Sequence, residues 1–131
     1  MITYSATKTI SGTQLAGLLS ASTSKPAPAD SHRLQRILTN SNLLYTAWDA
    51  DKLVGCVCGL NDKAYCCYLS LWVVRATYNQ RSIGDAFIQK IHHDLGTGIS
   101  LVLLSDSQDA LHYSELRFEN VDSGFEDKRA F

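Results

Sequence analysis

Three segments with the hydrophobic pattern of β-strands follow one another in the middle of the chain. They are Leu43–Trp48, Leu53–Leu60 and Ala64–Val74. Short, mostly polar sequences separate them, Asp49-Ala50-Asp51 in the first case and Asn61-Asp62-Lys63 in the second. A parallel crossover needs a dozen or more residues, so connections this short predict three adjacent antiparallel strands.

Helical and extended patterns alternate on both sides of this meander. We predict a first strand at Ile2–Lys8, a helix that begins with the capping box Ser11-Gly12-Thr13-Gln14, and a second helix after Asp30. After the meander we predict a helix at Ile83–Leu95, a strand buried on both faces at Ser100–Ser105 and a short helix at Gln108–Leu116. Two closing strands are predicted around Phe118 and Phe125. This order predicts an α/β (α+β) sandwich with a mixed, mostly antiparallel sheet of about six to seven strands and about four helices. We expect one domain over residues 1–131.

The composition excludes several classes of protein. Of the 131 residues, 45% are hydrophobic and 19% charged, which is enough apolar material for a packed core. Twelve basic and 13 acidic residues nearly cancel, so neither nucleic acid nor an anionic membrane is expected as a partner. No apolar run approaches the roughly 20 residues of a membrane span, and the first residues lack a signal-peptide pattern. We expect a cytoplasmic protein.

The four cysteines form a cluster in the sequence at Cys56, Cys58, Cys66 and Cys67. Thiolates at this density suggest zinc. However, Cys66 and Cys67 are adjacent in a predicted strand and must point to opposite faces, so four thiolates cannot converge on one ion. We interpret all of them as reduced thiols and expect no metal site.

A strand, a polar loop and a helix follow one another directly between Val73 and Gly84. Unpaired N–H groups and the positive end of the helix dipole suit a phosphate at such a helix start, and Arg81 and Ser82 add a cation and a hydroxyl. Most strand-to-helix loops bind nothing, so an ordinary structural loop is the alternative.

Several motifs together resemble the GNAT acetyltransferase superfamily, in particular a small bacterial single-domain subgroup. Its acetyl-CoA motif places Tyr and then Gln/Arg-x-x-Gly-x-Gly/Ala after a strand that ends apolar-x-Val, and Tyr78, Ile83 and Gly84 match it. Other similar segments lie in Leu43–Gly55, Tyr65–Ser70 and His112–Glu119, the last resembling Phe/Tyr-Tyr-x-x-Leu-Gly-Phe-Glu. The resemblance covers nearly the whole chain in the family's order of elements.

Four positions depart from the family's pattern. Asn79 stands at the first loop position in place of Gln or Arg, and Ser82 replaces the central glycine. Arg117 replaces the glycine before Phe118, so a turn with positive φ there would cost energy. Leu71 occupies a position where the subgroup tends to have Asp.

The resemblance implies an acetyl-CoA-dependent N-acetyltransferase and assigns roles to particular residues. Backbone groups of Trp72, Val73 and Val74 would hold the pantetheine arm as an added strand. Tyr113 would protonate the departing CoA thiolate, its structural alternative being a core aromatic. The pyrophosphate would lie against the start of the helix, at Asn79, Gln80, Arg81, Ser82, Ile83, Gly84 and Asp85.

The general base and the acceptor remain open. No acidic residue lies between Asp62 and Asp85, which leaves Asp106, His112 and Glu115 as candidates for the base. The expected acceptor is a primary amine of a small molecule or peptide, and we leave a homodimer open. An acetyl-CoA-binding module with weakened catalysis is one alternative. A GNAT-fold interaction domain, in which Trp72 and Tyr78 fill the cleft, is another.

Overall fold

A computed structural model describes residues 1–22, 30–104 and 110–130. In this part of the chain, five strands form one sheet in the order β1-β2-β3-β4-β5. The first four strands pair in antiparallel fashion, and β5 runs parallel to β4. The elements in chain order are β1 (Ile2–Ser5), α1 (Gly12–Ser20), α2 (Ser31–Asn40), β2 (Leu43–Asp49), β3 (Lys52–Asn61), β4 (Cys66–Val74), α3 (Gln80–Leu95), β5 (Ser100–Val102) and α4 (Ala110–Glu115).

Side-chain caps fix where the first two helices begin, as predicted. The N–H of Gln14 donates to Ser11 Oγ at 3.1 Å, and the N–H of Ser11 donates to Gln14 Oε1 at 2.9 Å, which completes the capping box. Asp30 caps α2 by accepting from the N–H of His32 at 3.0 Å. Each cap satisfies N–H groups that have no partner inside the helix.

Helices cover both faces of the sheet and enclose two apolar cores. On one face, α1 and α2 bury Leu15, Leu18 and Leu34 against side chains of β2, β3 and β4. On the other face, α3 buries Phe87 and Ile91 against the same strands. The predicted α/β sandwich is confirmed.

The cysteines face as the strand pattern predicted. Cys56 and Cys58 are buried on the α1/α2 face, with their Sγ atoms 3.7 Å apart. Cys67 is buried in the core beneath α3, whereas Cys66 is exposed. A hydrogen bond with Cys58 and burial together hold the pKa of the Cys56 thiol well above its usual range. In the described ranges, no cluster of three or more His, Cys, Asp or Glu side chains could hold a metal ion.

The sheet is smaller than predicted at its C-terminal end. No strand forms around Phe118 or Phe125, so the described sheet has five strands instead of six to seven. Phe125 stands fully exposed among charged and polar neighbours, which lack the alternating apolar pattern that a half-buried strand requires.

The prediction that the strand at Ser100–Ser105 is buried on both faces is also wrong for its described residues. Leu101 and Leu103 pack against the core beneath α3, but Val102 and Leu104 are 41% and 60% exposed. β5 pairs only with β4 and lies at the end of the described sheet, where no described helix covers its second face. Among the described helices, none combines the length and the apolar character that spanning a membrane requires.

Candidate active site

A β-bulge at Ser70 divides β4 into two halves. Cys58 of β3 lies opposite Leu71, while the next residue, Gly59, lies opposite Leu69, so Ser70 is the extra residue on β4. An extra residue reverses which side chains point to each face of a strand. Accordingly, Leu69 packs in the core beneath α3, whereas beyond the bulge Leu71 packs on the α1/α2 side.

The bulge also reverses which backbone groups point toward β3. Before it, the carbonyl of Cys66 accepts from the N–H of Asp62, so the even-numbered residues of β4 bond to β3. Beyond it, the N–H of Arg75 donates to Val54 O at 2.8 Å, so the odd-numbered residues do. The N–H and C=O groups of Trp72 and Val74 therefore point away from β3.

On the side to which these groups point, β5 pairs with the first half of β4 only, and its paired residues end opposite Tyr68. The chain that follows α1 reaches the far end of the same side, where Ser22 bridges Arg75 and the N–H of Ala76 donates to Ala21 O at 2.8 Å. Among the described residues, the main chain of Trp72 and the N–H of Val74 thus lie in a gap between β5 at one end and the Ser22–Arg75 bridge at the other.

Asn79 is the N-cap of α3 and accepts hydrogen bonds from two N–H groups near the start of the helix. Its side chain accepts from the N–H of Ser82 at 2.9 Å, and its carbonyl accepts from the N–H of Ile83 at 3.1 Å. The helix therefore starts at Gln80, three residues before the predicted start at Ile83. Sequence reasoning missed this cap, although Asn is among the residues preferred at the position.

Of the N–H groups assigned to phosphate binding, those of Gln80 and Arg81 have no acceptor in the described part of the chain. They lie in the first turn of α3, where the positive end of the dipole is strongest. The Arg81 side chain is exposed beside them, and Gln80 Nε2 donates to Arg75 O at 3.1 Å. The terminus is a smaller anion site than the sequence suggested, with two free donors and one cation.

Of the predicted binding residues, Ile83 and Gly84 have packing roles in the structure, and Asp85 is exposed to solvent. The Ile83 side chain is buried in the core beneath α3. A Cβ on Gly84 would lie 2.8 Å from Leu116 Cδ1 and 3.3 Å from Trp72 Cζ2, so glycine permits close contact of α3 with β4 and with the end of α4. Asp85 is exposed beyond the first turn, where its charge is removed from the free N–H groups.

Tyr113 lies on α4, and its ring packs against the Trp72 ring on the α3 face of the sheet. It contacts Trp72 edge to face, with ring centroids 5.9 Å apart, and Phe118 in the same way at 6.0 Å. The Trp72 Nε1 atom is buried with no hydrogen-bond partner among the described residues. A buried donor without an acceptor costs about 1–3 kcal/mol, a cost that an aliphatic side chain here would avoid.

The end of α4 is a Schellman motif with arginine at the position that favours glycine. The N–H of Phe118 donates to Tyr113 O at 3.0 Å, and the N–H of Arg117 donates to Ser114 O at 3.0 Å. Arg117 has a φ of 70°, in the left-handed region. Of the two outcomes that the sequence left open, a costly turn with positive φ or a turn of another shape, the structure has the first, and this turn lies between Tyr113 and Phe118, whose rings are in contact.

Tyr78 does not fill the gap. Its hydroxyl donates to Asp49 Oδ2 at 2.5 Å, and this hydrogen bond raises the pKa of Tyr78. The bond ties the loop before α3 to the end of β2. The Trp72 side chain, in contrast, extends from β4 and packs against Phe87 of α3 and Tyr113 of α4.

Of the three candidates for the general base, the described part of the chain includes the side chain of Glu115 alone. Glu115 is exposed on α4. Asp106 and the His112 side chain lie outside the described part of the chain, as does most of the segment between α1 and α2. Sequence reasoning also missed Ser70, for which a single polar residue in an apolar strand is the only signal.

Comparison with solved structures identifies the fold. A GNAT-family acetyltransferase from Streptococcus pneumoniae matches with a TM-score of 0.79 at 18% identity, over 100% of both chains. An aminoglycoside acetyltransferase from an uncultured soil metagenomic sample, in complex with sisomicin, matches at 0.65 and 17%, over 98% of this chain and 97% of that one. The ribosomal-protein-S18-alanine N-acetyltransferase from Escherichia coli matches at 0.67 and 15%, over 92% and 79%.

The sequence itself matches no protein-family model and no curated protein. The chain nevertheless has the GNAT acetyltransferase fold across its full length. Identities this low establish the fold, and function has to be argued from the residues.

Replacing Arg117 with glycine should stabilise the protein. Glycine adopts the left-handed conformation without a clash at Cβ, so we expect Arg117→Gly to raise the free energy of unfolding by about 1 kcal/mol. Urea unfolding followed by circular dichroism measures the change. Arg117→Ala is the matched control, because it removes the same charge and keeps the strain. A gain in Arg117→Ala equal to that in Arg117→Gly would contradict the explanation.

Proposed function

We propose that this chain is an acetyl-CoA-dependent N-acetyltransferase that acetylates a primary amine of a small molecule or peptide. The observation that carries the proposal is the main chain of Trp72 and the N–H of Val74, which have no partner strand among the described residues and lie near the free N–H groups at the start of α3. An extended chain of amides that ends in a pyrophosphate fits this succession of donors and acceptors.

The pantetheine arm binds as an added strand in the gap beside β4. The backbone N–H and C=O of Trp72 and the N–H of Val74 bond to its amides and carbonyls, as in other cases of strand addition. Val73 takes no part through its main chain, because its backbone groups point to Cys56 of β3. Two of the three strand residues assigned from the family resemblance therefore fit this role.

The pyrophosphate binds at the first turn of α3. The N–H groups of Gln80 and Arg81 donate to it, and the Arg81 guanidinium supplies the positive charge. Ser82 contributes through its hydroxyl only, since its N–H already bonds to Asn79.

Tyr113 acts as the general acid. The amine nitrogen attacks the thioester carbonyl, the C–N bond forms, and the C–S bond breaks with its electron pair going to sulfur. The hydroxyl of Tyr113 then gives its proton to that sulfur, and a base that we do not assign accepts the proton of the amine. The contact of the Tyr113 ring with Trp72, the residue whose main chain would hold the pantetheine arm, supports this role.

The chemistry and the range of proteins with this fold support the proposed acceptor class, a primary amine of a small molecule or peptide. Solved structures of the same fold include an acetyltransferase for aminoglycosides and one for the alanine of a ribosomal protein. We place the enzyme in the cytoplasm as one domain over residues 1–131 and leave a homodimer open. An acetyl-CoA-binding module with weakened catalysis is the second candidate, favoured by the Asn79 side chain, which occupies the N–H of Ser82.

Acetyl-CoA should protect the chain against heat. A ligand at one hundred times its Kd stabilises the folded state by about 2.7 kcal/mol, which raises the Tm by on the order of 10 °C here. Arg81→Ala should reduce the rise in Tm at a fixed concentration. Arg36→Ala is the control, because it removes the same charge from an exposed position on α2, on the other face of the sheet. An unchanged Tm at millimolar acetyl-CoA would refute the proposal.

Removing the Tyr113 hydroxyl should impair turnover and little else. We expect Tyr113→Phe to lower kcat by roughly 10- to 1,000-fold, the scale of a lost proton donor, with the affinity for acetyl-CoA and the Tm nearly unchanged. Release of free CoA thiol over a panel of amines measures the rate. Tyr65→Phe, which removes a hydroxyl from an 80% exposed ring, should retain the wild-type rate. Wild-type turnover in Tyr113→Phe would exclude Tyr113 as the acid.

A further inference from the structure

Trp72, Tyr113 and Phe118 form an aromatic triad in which every ring contacts the other two edge to face. The centroids of Trp72 and Tyr113 are 5.9 Å apart, those of Tyr113 and Phe118 6.0 Å, and those of Trp72 and Phe118 6.3 Å. The interplanar angles lie between 79° and 90°, near the geometry that aromatic quadrupoles favour. Rotation of the Tyr113 ring would disturb its contacts with Trp72 and Phe118.

The triad connects the middle of the sheet to the short helix α4. Trp72 belongs to β4 in the middle of the sheet, and its ring also packs on Phe87 of α3 at 5.9 Å. Tyr113 lies on α4, a helix of only six residues. Phe118 follows the Schellman turn of the same helix, and its N–H donates to Tyr113 O at 3.0 Å. Trp72 connects the Tyr113 ring to the sheet.

Ring packing places the indole, and no hydrogen bond to a described residue contributes. Within the described ranges its buried Nε1 donor has no acceptor, although most buried donors in proteins have one. The indole therefore contributes to the fold through its shape and through the contacts that its ring makes with neighbouring rings. These are the properties that fix the angle of a neighbouring ring.

We propose that Trp72 is a positioning residue, which sets the orientation of the Tyr113 ring and thereby aims its hydroxyl at the sulfur of the acyl donor. The inference rests on the proposed function, because it assigns to Trp72 the alignment of the proton donor. Trp72 acts through its side chain here, independently of the main-chain groups that bind pantetheine.

The kinetic test replaces the indole by a smaller ring and by an aliphatic side chain. A misplacement of about 1 Å can cost on the order of 100-fold in rate, so we expect Trp72→Leu to lower kcat by roughly 10- to 100-fold while the KM for acetyl-CoA changes less than about threefold. Trp72→Phe keeps an aromatic edge and should recover most of the loss. Ile91→Ala removes buried volume from the same core without touching the triad, and its kcat should remain at the wild-type value. A wild-type kcat in Trp72→Leu would overturn the proposal.

A double-mutant cycle separates positioning from general damage. If Trp72 acts through the Tyr113 hydroxyl, then Trp72→Leu should lower kcat no further when Tyr113→Phe is already present. Additive losses would show that Trp72 supports the site in some other way and would overturn the proposal.

A third measurement does not depend on activity. In protein that carries 3-fluorotyrosine, the ¹⁹F resonance of Tyr113 is assigned by its loss in Tyr113→Phe. We expect Trp72→Leu to shift this resonance and to speed exchange between ring orientations, whereas Ile91→Ala should leave it unchanged. An unaltered resonance in Trp72→Leu would overturn the positioning role. If no amine is acetylated by the wild-type chain while the resonance responds, the proposed function fails and the placement of the ring by Trp72 stands.

Discussion

The bulge at Ser70 is the constraint on which the candidate site depends. Without the extra residue, the odd-numbered residues of β4 would point their backbone groups outward along the whole strand, and Trp72 would face α1 and α2. With it, the main chain of Trp72 and the N–H of Val74 have no partner strand among the described residues, while the Trp72 side chain packs toward α3 and Tyr113. One register shift thus produces this stretch of edge and the aromatic contact together.

Two features of the site carry an energetic cost that the rest of the fold offsets. Arg117 holds a left-handed conformation, and Trp72 buries an N–H group that has no acceptor in the described part of the chain. Each costs on the order of 1 kcal/mol or more, against a typical net stability of about 5–15 kcal/mol. The two helix-covered cores and the Tyr78–Asp49 hydrogen bond stabilise the scaffold around them. Strain of this kind concentrates where a site is built, and here it lies within a few side chains of Tyr113.

The sequence allowed prediction of features that local chemistry decides. Caps at Ser11 and Asp30 set the first two helices because a side chain and an N–H group two or three residues away are enough. The bulge depends on how two strands align over their whole length, and its only local sign is Ser70. The closing strands were predicted wrongly because Phe125 has no apolar partner at strand spacing among its charged neighbours. The roles of Trp72 and Tyr113 needed a family resemblance, since neither residue belongs to a motif with chemistry of its own.

The most direct test of the account is a crystal structure of the chain with acetyl-CoA. The account predicts hydrogen bonds from the pantetheine amides to the main chain of Trp72 and Val74, the pyrophosphate against the N–H groups of Gln80 and Arg81, and the Tyr113 hydroxyl within hydrogen-bond distance of the sulfur. Main-chain atoms of Trp72 and Val74 that make no contact with the ligand, or acetyl-CoA bound elsewhere on the chain, would contradict it.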